Sequence, residues 1–381
     1  MVVYIFSCVY LIAIATLRYR LGGDTIGYEW EYRSIPTLWD IGSYKFSSLR
    51  WEPGFILLFI ICKTISPEFV FFQFVHAVIL NCIIFWFISK NTQNRFIAVT
   101  LYFVIIYFNL NMEVLREALA VSLFLLAWPS FRDGKWYIYY PLMLLACTFH
   151  ISAAITLILP LLLLPGIRAG FKLGYRTIFI CAIIFVICLI VQRNFFGLIK
   201  LLSPTETIAD RADVYAKSDY GGTNLNIVGM LEYIFTFVFI PLMALWYMKK
   251  KVKAEESAEK SNSIKKIEVL IVIGAYFAVT TLVILIAQRF NNYICMFNYT
   301  LMASCFFTSL KIKRKKYKIP AYYWSLILFV VLIVNSMAYR ASVYGSQSLK
   351  RYMVYYPYAS VIDNTEDPQR EEIYRFGSHK R

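Results

Sequence analysis

Charge is scarce in this chain. Asp, Glu, Lys and Arg make up 16% of 381 residues, against 59% hydrophobic ones. Mean hydropathy is +0.59, which excludes an ordinary soluble globular domain. Several catalytic signatures are missing as well: there is no Walker motif, G-x-G-x-x-G, H-E-x-x-H or G-x-S-x-G. No D-x-D is present to hold a metal-bound nucleotide sugar, so a transferase built on this chain needs a donor already linked to membrane lipid. The eight cysteines lie nearly all within apolar runs and form no C-x-x-C, zinc spacing or disulfide framework, which leaves them as small packing residues. No solenoid repeat and no low-complexity linker divides the chain. The N-terminus has no basic region or small-residue cleavage site, so Val2 to Leu17 reads as a span and not as a removed signal.

What is there is a series of apolar runs of 15 to 20 residues between short polar breaks. They lack the alternation of a barrel strand, and lipid demands internally satisfied backbones, so the chain reads as an all-α polytopic membrane protein. The net charge of +16 does not mark a nucleic-acid binder. Lys249-Lys250-Lys251-Val252-Lys253 and the basic run Lys311 to Lys318 each directly follow an apolar run, which is positive-inside topology, with anionic-lipid contact a further option. These runs place loops 165–176, 249–266 and 311–319 in the cytoplasm, and loop 194–227, the Gln288-Arg289 turn and the tail 339–381 outside. Residues 1–338 are expected to form one transmembrane domain.

The first half admits two threadings, each giving about eleven spans in all. In one, Pro53 to Ile65 crosses and 137–164 is a single long helix. In the other, which is preferred, the Pro53 segment only dips, 69–88 enters, 96–110 leaves, 115–130 enters, and 137–149 and 152–164 are short helices about a turn at His150. The second puts Lys90, Arg95, Arg132 and Lys135 inside and gathers Arg18, Asp24, Glu52, Arg116, His150 and Arg289 at the outer face. Short or re-entrant helices are acceptable where they line a protein-buried cavity.

The stretch Leu17-Arg18-Tyr19-Arg20-Leu21-Gly22-Gly23-Asp24-Thr25 ends the first apolar run with two arginines, glycines and an acid. Fixed cations on a loose backbone at a membrane boundary suit an anionic headgroup; the plainer alternative is that Arg18 and Arg20 anchor a helix end. In the outer loop 18–52, Trp30, Trp39 and Trp51 among carboxylates suit sugar faces or an interfacial aromatic belt. Asn109, Asn111, Glu113, Arg116 and Glu117 interrupt apolar sequence; Glu113 and Arg116, three apart, can pair on one helix face. They are either a packing ion pair or a cavity-facing site. His150, mid-run among small residues, is a packing group or a catalyst, and His76 reads as structural. Arg289, with Asn292 three residues on, snorkels at a helix end or joins a site. The tail segment Tyr352 to Tyr358 is a lid, a sugar platform or an interfacial tyrosine band.

Arg18-x-Arg20-Leu21-Gly22-Gly23-Asp24-Thr25-x-x-Tyr28, then Glu52-Pro53-Gly54-Phe55, Leu115-Arg116-Glu117-x-Leu119-Ala120 and Phe149-His150-Ile151-Ser152-Ala153, resembles the EpsG family. These are Wzy-like membrane polymerases of bacterial exopolysaccharide and capsule. The resemblance covers the first half through motifs and the second mainly by hydropathy. It implies a GT-C-like, metal-independent enzyme without cofactor that joins undecaprenyl-diphosphate-linked oligosaccharide units at the outer face of the cytoplasmic membrane, alongside membrane lipids, a chain-length regulator and export components. Under it, Arg18, Arg20, Arg116 and Arg289 would bind the diphosphate, Asp24, Glu52 or His150 would serve as base, and Glu113 and Asn292 would support them. A ligase acting on the same lipid, a repeat-unit flippase and a lipid-modifying acyltransferase are the alternatives.

Overall fold

The computed structural model describes residues 1–43, 51–192, 195–202, 227–255, 258–311, 321–341 and 351–379. Most of the expected outer loop 194–227, the basic run after Lys311 and residues 342–350 of the tail lie outside the described residues. Among those described, the secondary structure is helical, with a single isolated β-bridge between Arg18 and Ser360. Two helices, Phe69–Asn91 and Gly229–Lys251, are long and apolar enough to cross a membrane, and a bent helix pair over 151–171 would make a third. Six further apolar helices have 10–17 residues.

The chain divides into two compact units, Met1–Ile158 with Asn335–Arg381, and Leu159–Val334. The segment from Asn335 onward, which includes the tail, belongs to the first unit. In that unit, α1 (Val2–Thr16) runs antiparallel to α4 (Phe69–Asn91): the Tyr4 hydroxyl donates to Phe85 O at 2.7 Å. Arg95 lies over the Tyr4 ring, so it sits at the end of α1 opposite Arg18. The polar helix α2 (Thr25–Ser34) lies alongside α3 (Pro53–Ile65), with Tyr28 against Trp51 and Phe55, and Tyr32 against Phe59. The α3 end returns to the end of α2, where Tyr32 donates to Ser66 O and Lys63 to Arg33 O. Proline at the first turn of α3 fits because its missing N–H has no helical acceptor there.

Helix α5 (Arg95–Tyr102) runs on into π-helical turns over Phe103–Tyr107 and Asn109–Glu113. Buried amides tie this irregular stretch to α4. Asn81 donates to Asn111 Oδ1 at 2.7 Å, Asn111 to the Tyr102 hydroxyl at 2.8 Å, and that hydroxyl to Asn81 Oδ1 at 2.9 Å. The ring leaves each polar group a partner, which burial requires. Gly134, with φ +73, ends α6 (Leu115–Asp133) in the left-handed conformation and lets α7 (Trp136–Phe149) double back on it. At His150 the backbone turns extended (φ −157, ψ 128), and the Tyr139 hydroxyl reaches Thr156 O at 2.6 Å. Those two residues would be about 25 Å apart on one straight helix, so 137–164 is not a single helix and the reversal at His150 is real.

In the second unit, Glu268 accepts from the Leu173 backbone at 2.7 Å and from Lys249 at 2.5 Å. The segments 165–176 and 249–266, both expected in the cytoplasm, thus meet at Glu268, near the middle of helix Ala258–Thr281. The reversal at 282–287 and the start of helix Gln288–Lys311 follow its C-terminal end.

Candidate functional site

The site at one end of the first unit is assembled by two departures from regular backbone. The first is the loop after α1. Arg20 takes φ +50 and Gly22 φ +103. A Cβ on Gly22 would lie 2.1 Å from Met112 O, so only glycine lets this loop approach the π-helical turn so closely. Thr25 Oγ1 donates within the same contact, to Leu21 O and to Met112 O. The second is Val114 (φ −93, ψ 53), which separates the π-helical turn from α6. Glu113 and Arg116 therefore do not share a continuous helix, and each finds a distant partner.

For Glu113 that partner is the tail: the Tyr355 hydroxyl donates to its Oε1. For Arg116 it is Glu52, at the N-cap of α3, with Nη1 to Oε2 2.5 Å and side chains only 20% and 11% exposed. The guanidinium lies 5.4 Å from the Trp51 ring centre, and the Tyr28 hydroxyl adjoins it. Two residues along, a Cβ on Gly54 would lie 2.2 Å from Thr148 Oγ1. The start of α3 thus touches the start of α6 and the end of α7, and so brings Glu52, Arg116 and His150 to one place. His150 is 4% exposed; its Nδ1 accepts from Ser152 N at 3.2 Å and lies 2.6 Å from Ser152 Oγ. Asp24 occupies the N-cap position of α2, one turn before Tyr28.

The tail closes the other side. Residues 359–361 pair with 17–19, through Tyr19 N to Ala359 O at 2.9 Å and Val361 N to Leu17 O at 2.8 Å. Arg20 forms a two-pronged bond to Glu371, at 2.9 and 2.6 Å, with Glu366 3.8 Å away. The Tyr374 hydroxyl donates to Arg20 O at 2.6 Å. Arg370, itself 1% exposed, binds the carbonyls of Met353 and Pro357 and so holds the tail's own fold.

Arg18 is different. It is 1% exposed; Nη1 donates to Ala15 O, while among the described residues Nε and Nη2 have no hydrogen-bond partner. Among the described residues no carboxylate pairs with it; its titratable neighbours are the neutral side chains of Tyr107, Tyr355, Tyr358, Tyr374 and His76. Burial pulls its pKa down to about 10, which leaves it a cation at neutral pH. Burying a guanidinium without a counter-charge is costly, and its two remaining donors have the chemistry to meet an anion.

Seven of the residues singled out in the sequence, Arg18, Arg20, Asp24, Glu52, Glu113, Arg116 and His150, thus lie in the first unit at this end. Arg289 and Asn292 stand in the opening turns of helix Gln288–Lys311 in the second unit, Arg289 half-buried and Asn292 4% exposed. His76 is fully buried with Nε2 3.0 Å from Leu115 O, a structural contact. The sequence did not single out Tyr28 as a neighbour of Arg116, nor Tyr374 and Glu371. Their partners lie up to 354 residues away along the chain, and only the tyrosine-rich composition of the tail hinted at them.

No curated protein and no solved structure matches the chain. The family model described as the EpsG family matches residues 1–360, which takes in all seven of these residues and stops short of helix Pro368–His379. With the match extending over nearly the whole chain, the protein belongs to the EpsG family.

Proposed function

We propose that this chain is a polysaccharide polymerase that joins undecaprenyl-diphosphate-linked oligosaccharide units at the outer face of the cytoplasmic membrane. Membership of a family of Wzy-like polymerases supports the general activity. The observation that carries the specific reading is Arg18, a buried guanidinium with two donors lacking a partner among the described residues, in the same unit as Glu52, Arg116 and His150.

In the reaction, an acceptor hydroxyl oxygen bonds to the anomeric carbon of the donor. The bond from that carbon to the phosphate oxygen breaks, and undecaprenyl diphosphate leaves with the electron pair. The hydroxyl proton passes to a base. Negative charge grows on the leaving diphosphate, and a guanidinium already fixed in a low-dielectric site stabilises it without reorganising. Arg18 takes this role first, because Arg20 and Arg116 already hold carboxylates. Arg289 and Asn292 are further candidates from the second unit. Glu52, His150 and Asp24 are the candidate bases. Three of the four tyrosines about Arg18 come from the tail, so a diphosphate reaching Arg18 lies among their rings and hydroxyls. The fold is GT-C-like, the N-terminus is cytoplasmic and the tail extracytoplasmic, and a chain-length regulator binds the assembled enzyme.

The test is a deletion strain complemented with Arg18→Lys or Arg18→Gln. Both are expected to yield single-unit glycan without long chains at normal protein level. Purified wild-type chain given lipid-linked repeat units is expected to form new glycosidic bonds. Long chains from both variants, or no bond formation by the purified protein, would overturn the assignment and favour a flippase.

A further inference from the structure

Next to Arg18, the outer side of α1 forms the floor of an open groove of about 610 Å³. Tyr10, Ala13, Ile14 and Leu17 line it at the i, i+3, i+4, i+7 spacing of one helical face, a strip about 10 Å long. Phe103 and Phe108 of the π-helical stretch and a set of tail tyrosines make the walls. Two of those tyrosines, Tyr355 and Tyr358, also stand in the electrostatic neighbourhood of Arg18. The groove is therefore apolar along its length and ends beside a buried cation that has donors to spare. Leu17, its last floor residue, is adjacent to Arg18 in the chain.

An apolar channel with a single cationic end matches an anionic amphiphile and little else. A free phosphate leaves the channel empty, and an uncharged lipid leaves the buried Arg18 charge uncompensated. We propose that the groove and Arg18 form one site, in which the hydrocarbon chain of an isoprenyl diphosphate lies against Tyr10, Ala13, Ile14 and Leu17 while Arg18 meets its diphosphate. The assignment rests on the polymerase reading and adds to it where the donor's lipid runs. Between two apolar surroundings the chain gains little by burial, since lipid tails are as apolar as leucine. The headgroup supplies the affinity, and the groove fixes the line along which the chain leaves, and so the orientation of the diphosphate towards Glu52 and Arg116.

Equilibrium binding of radiolabelled farnesyl diphosphate to the full chain in phosphatidylcholine nanodiscs tests this, with inorganic pyrophosphate as the headgroup-only probe. Ala13→Trp and Ile14→Trp, which fill the groove, are expected to weaken farnesyl diphosphate at least tenfold and leave pyrophosphate binding unchanged, the latter also reporting an intact fold. Arg18→Gln is expected to weaken both probes. Unchanged farnesyl diphosphate binding in the two groove variants, loss of pyrophosphate binding in both, or equal displacement by dioleoylphosphatidylglycerol would overturn the proposal. Failure here leaves the polymerase reading intact if Arg18→Lys still abolishes long chains. Conversely, normal polymer from Arg18→Lys with weakened binding in Ala13→Trp would retain the lipid site and remove the polymerase's headgroup.

Discussion

Arg116 Nη1 lies 2.5 Å from Glu52 Oε2, a residue 64 positions earlier in the chain. The pair joins the first turn of α6 to the N-cap of α3 with the Trp51 ring below the guanidinium. A lysine at 116 would keep the charge and lose both the fork and the planar stacking. Arg116→Lys is therefore expected to abolish long-chain polymer while single-unit glycan and protein level persist. Gel analysis of glycan chain length checks it, and long chains at wild-type abundance would remove Arg116 from the machinery.

The same pair predicts a stability pattern. Removing one partner of a mostly buried ion pair strands the other, at a cost on the order of 3 kcal/mol. Glu52→Ala and Arg116→Ala should each lower the melting temperature in detergent. The double variant should fall less than the sum of the two, and strict additivity would mean the contact contributes nothing in solution.

Gly22 and Gly54 differ in what blocks a side chain. At Gly22 the obstruction is the Met112 carbonyl and the backbone is left-handed, so Gly22→Ala should destabilise and resist rescue. At Gly54 the nearest atom belongs to the Thr148 side chain, with the Thr148 carbonyl at 2.9 Å behind it. Gly54→Ala should cost roughly 1–3 kcal/mol, and Thr148→Ala should recover part of the loss. Thermal melts of the two single variants and the double variant distinguish these cases.

His150 caps the turn that follows α7, a task an asparagine side chain also performs. His150→Asn is expected to preserve folding and expression and to lose long-chain polymer. If chain length is normal, His150 is a cap and Glu52 or Asp24 is the base.

Tail closure depends on the two-pronged Arg20–Glu371 bond, whose side chains are 23% and 20% exposed. Solvent screening limits such a pair to about 1 kcal/mol. Glu371→Gln should therefore leave the melting temperature nearly unchanged while several-fold increasing protease cleavage within 355–379. No change in cleavage would show that the β-bridge at Ser360 and the Arg370 contacts hold the tail by themselves.

The helical and apolar character of the chain, the ends of α6 and α7, and the reversal at His150 were all legible in the residues. Gly134 and the polar interruption at 150 act locally, through backbone conformation and missing apolar side chains. The expected Glu113–Arg116 pair was not legible, because i,i+3 reasoning presumes an unbroken helix and Val114 breaks it. About eleven spans were expected; among the described residues two helices meet the length and hydropathy for crossing, a bent pair would make a third, and six apolar helices are shorter. Irregular turns such as 103–107 and 109–113 divide apolar runs that look continuous as text.

By itself the sequence determined that this is a helical, apolar chain with arginines, acids and glycines concentrated after its first helix. Those properties follow from side-chain chemistry and short-range periodicity. Only the tertiary structure decided which cation keeps a carboxylate and which does not. Glu52 and Glu371 reach Arg116 and Arg20 from 64 and 351 residues away, and Arg18 is left among tyrosines with no carboxylate partner among the described residues. Pairing across such separations depends on how helices pack, and nothing in local sequence encodes it.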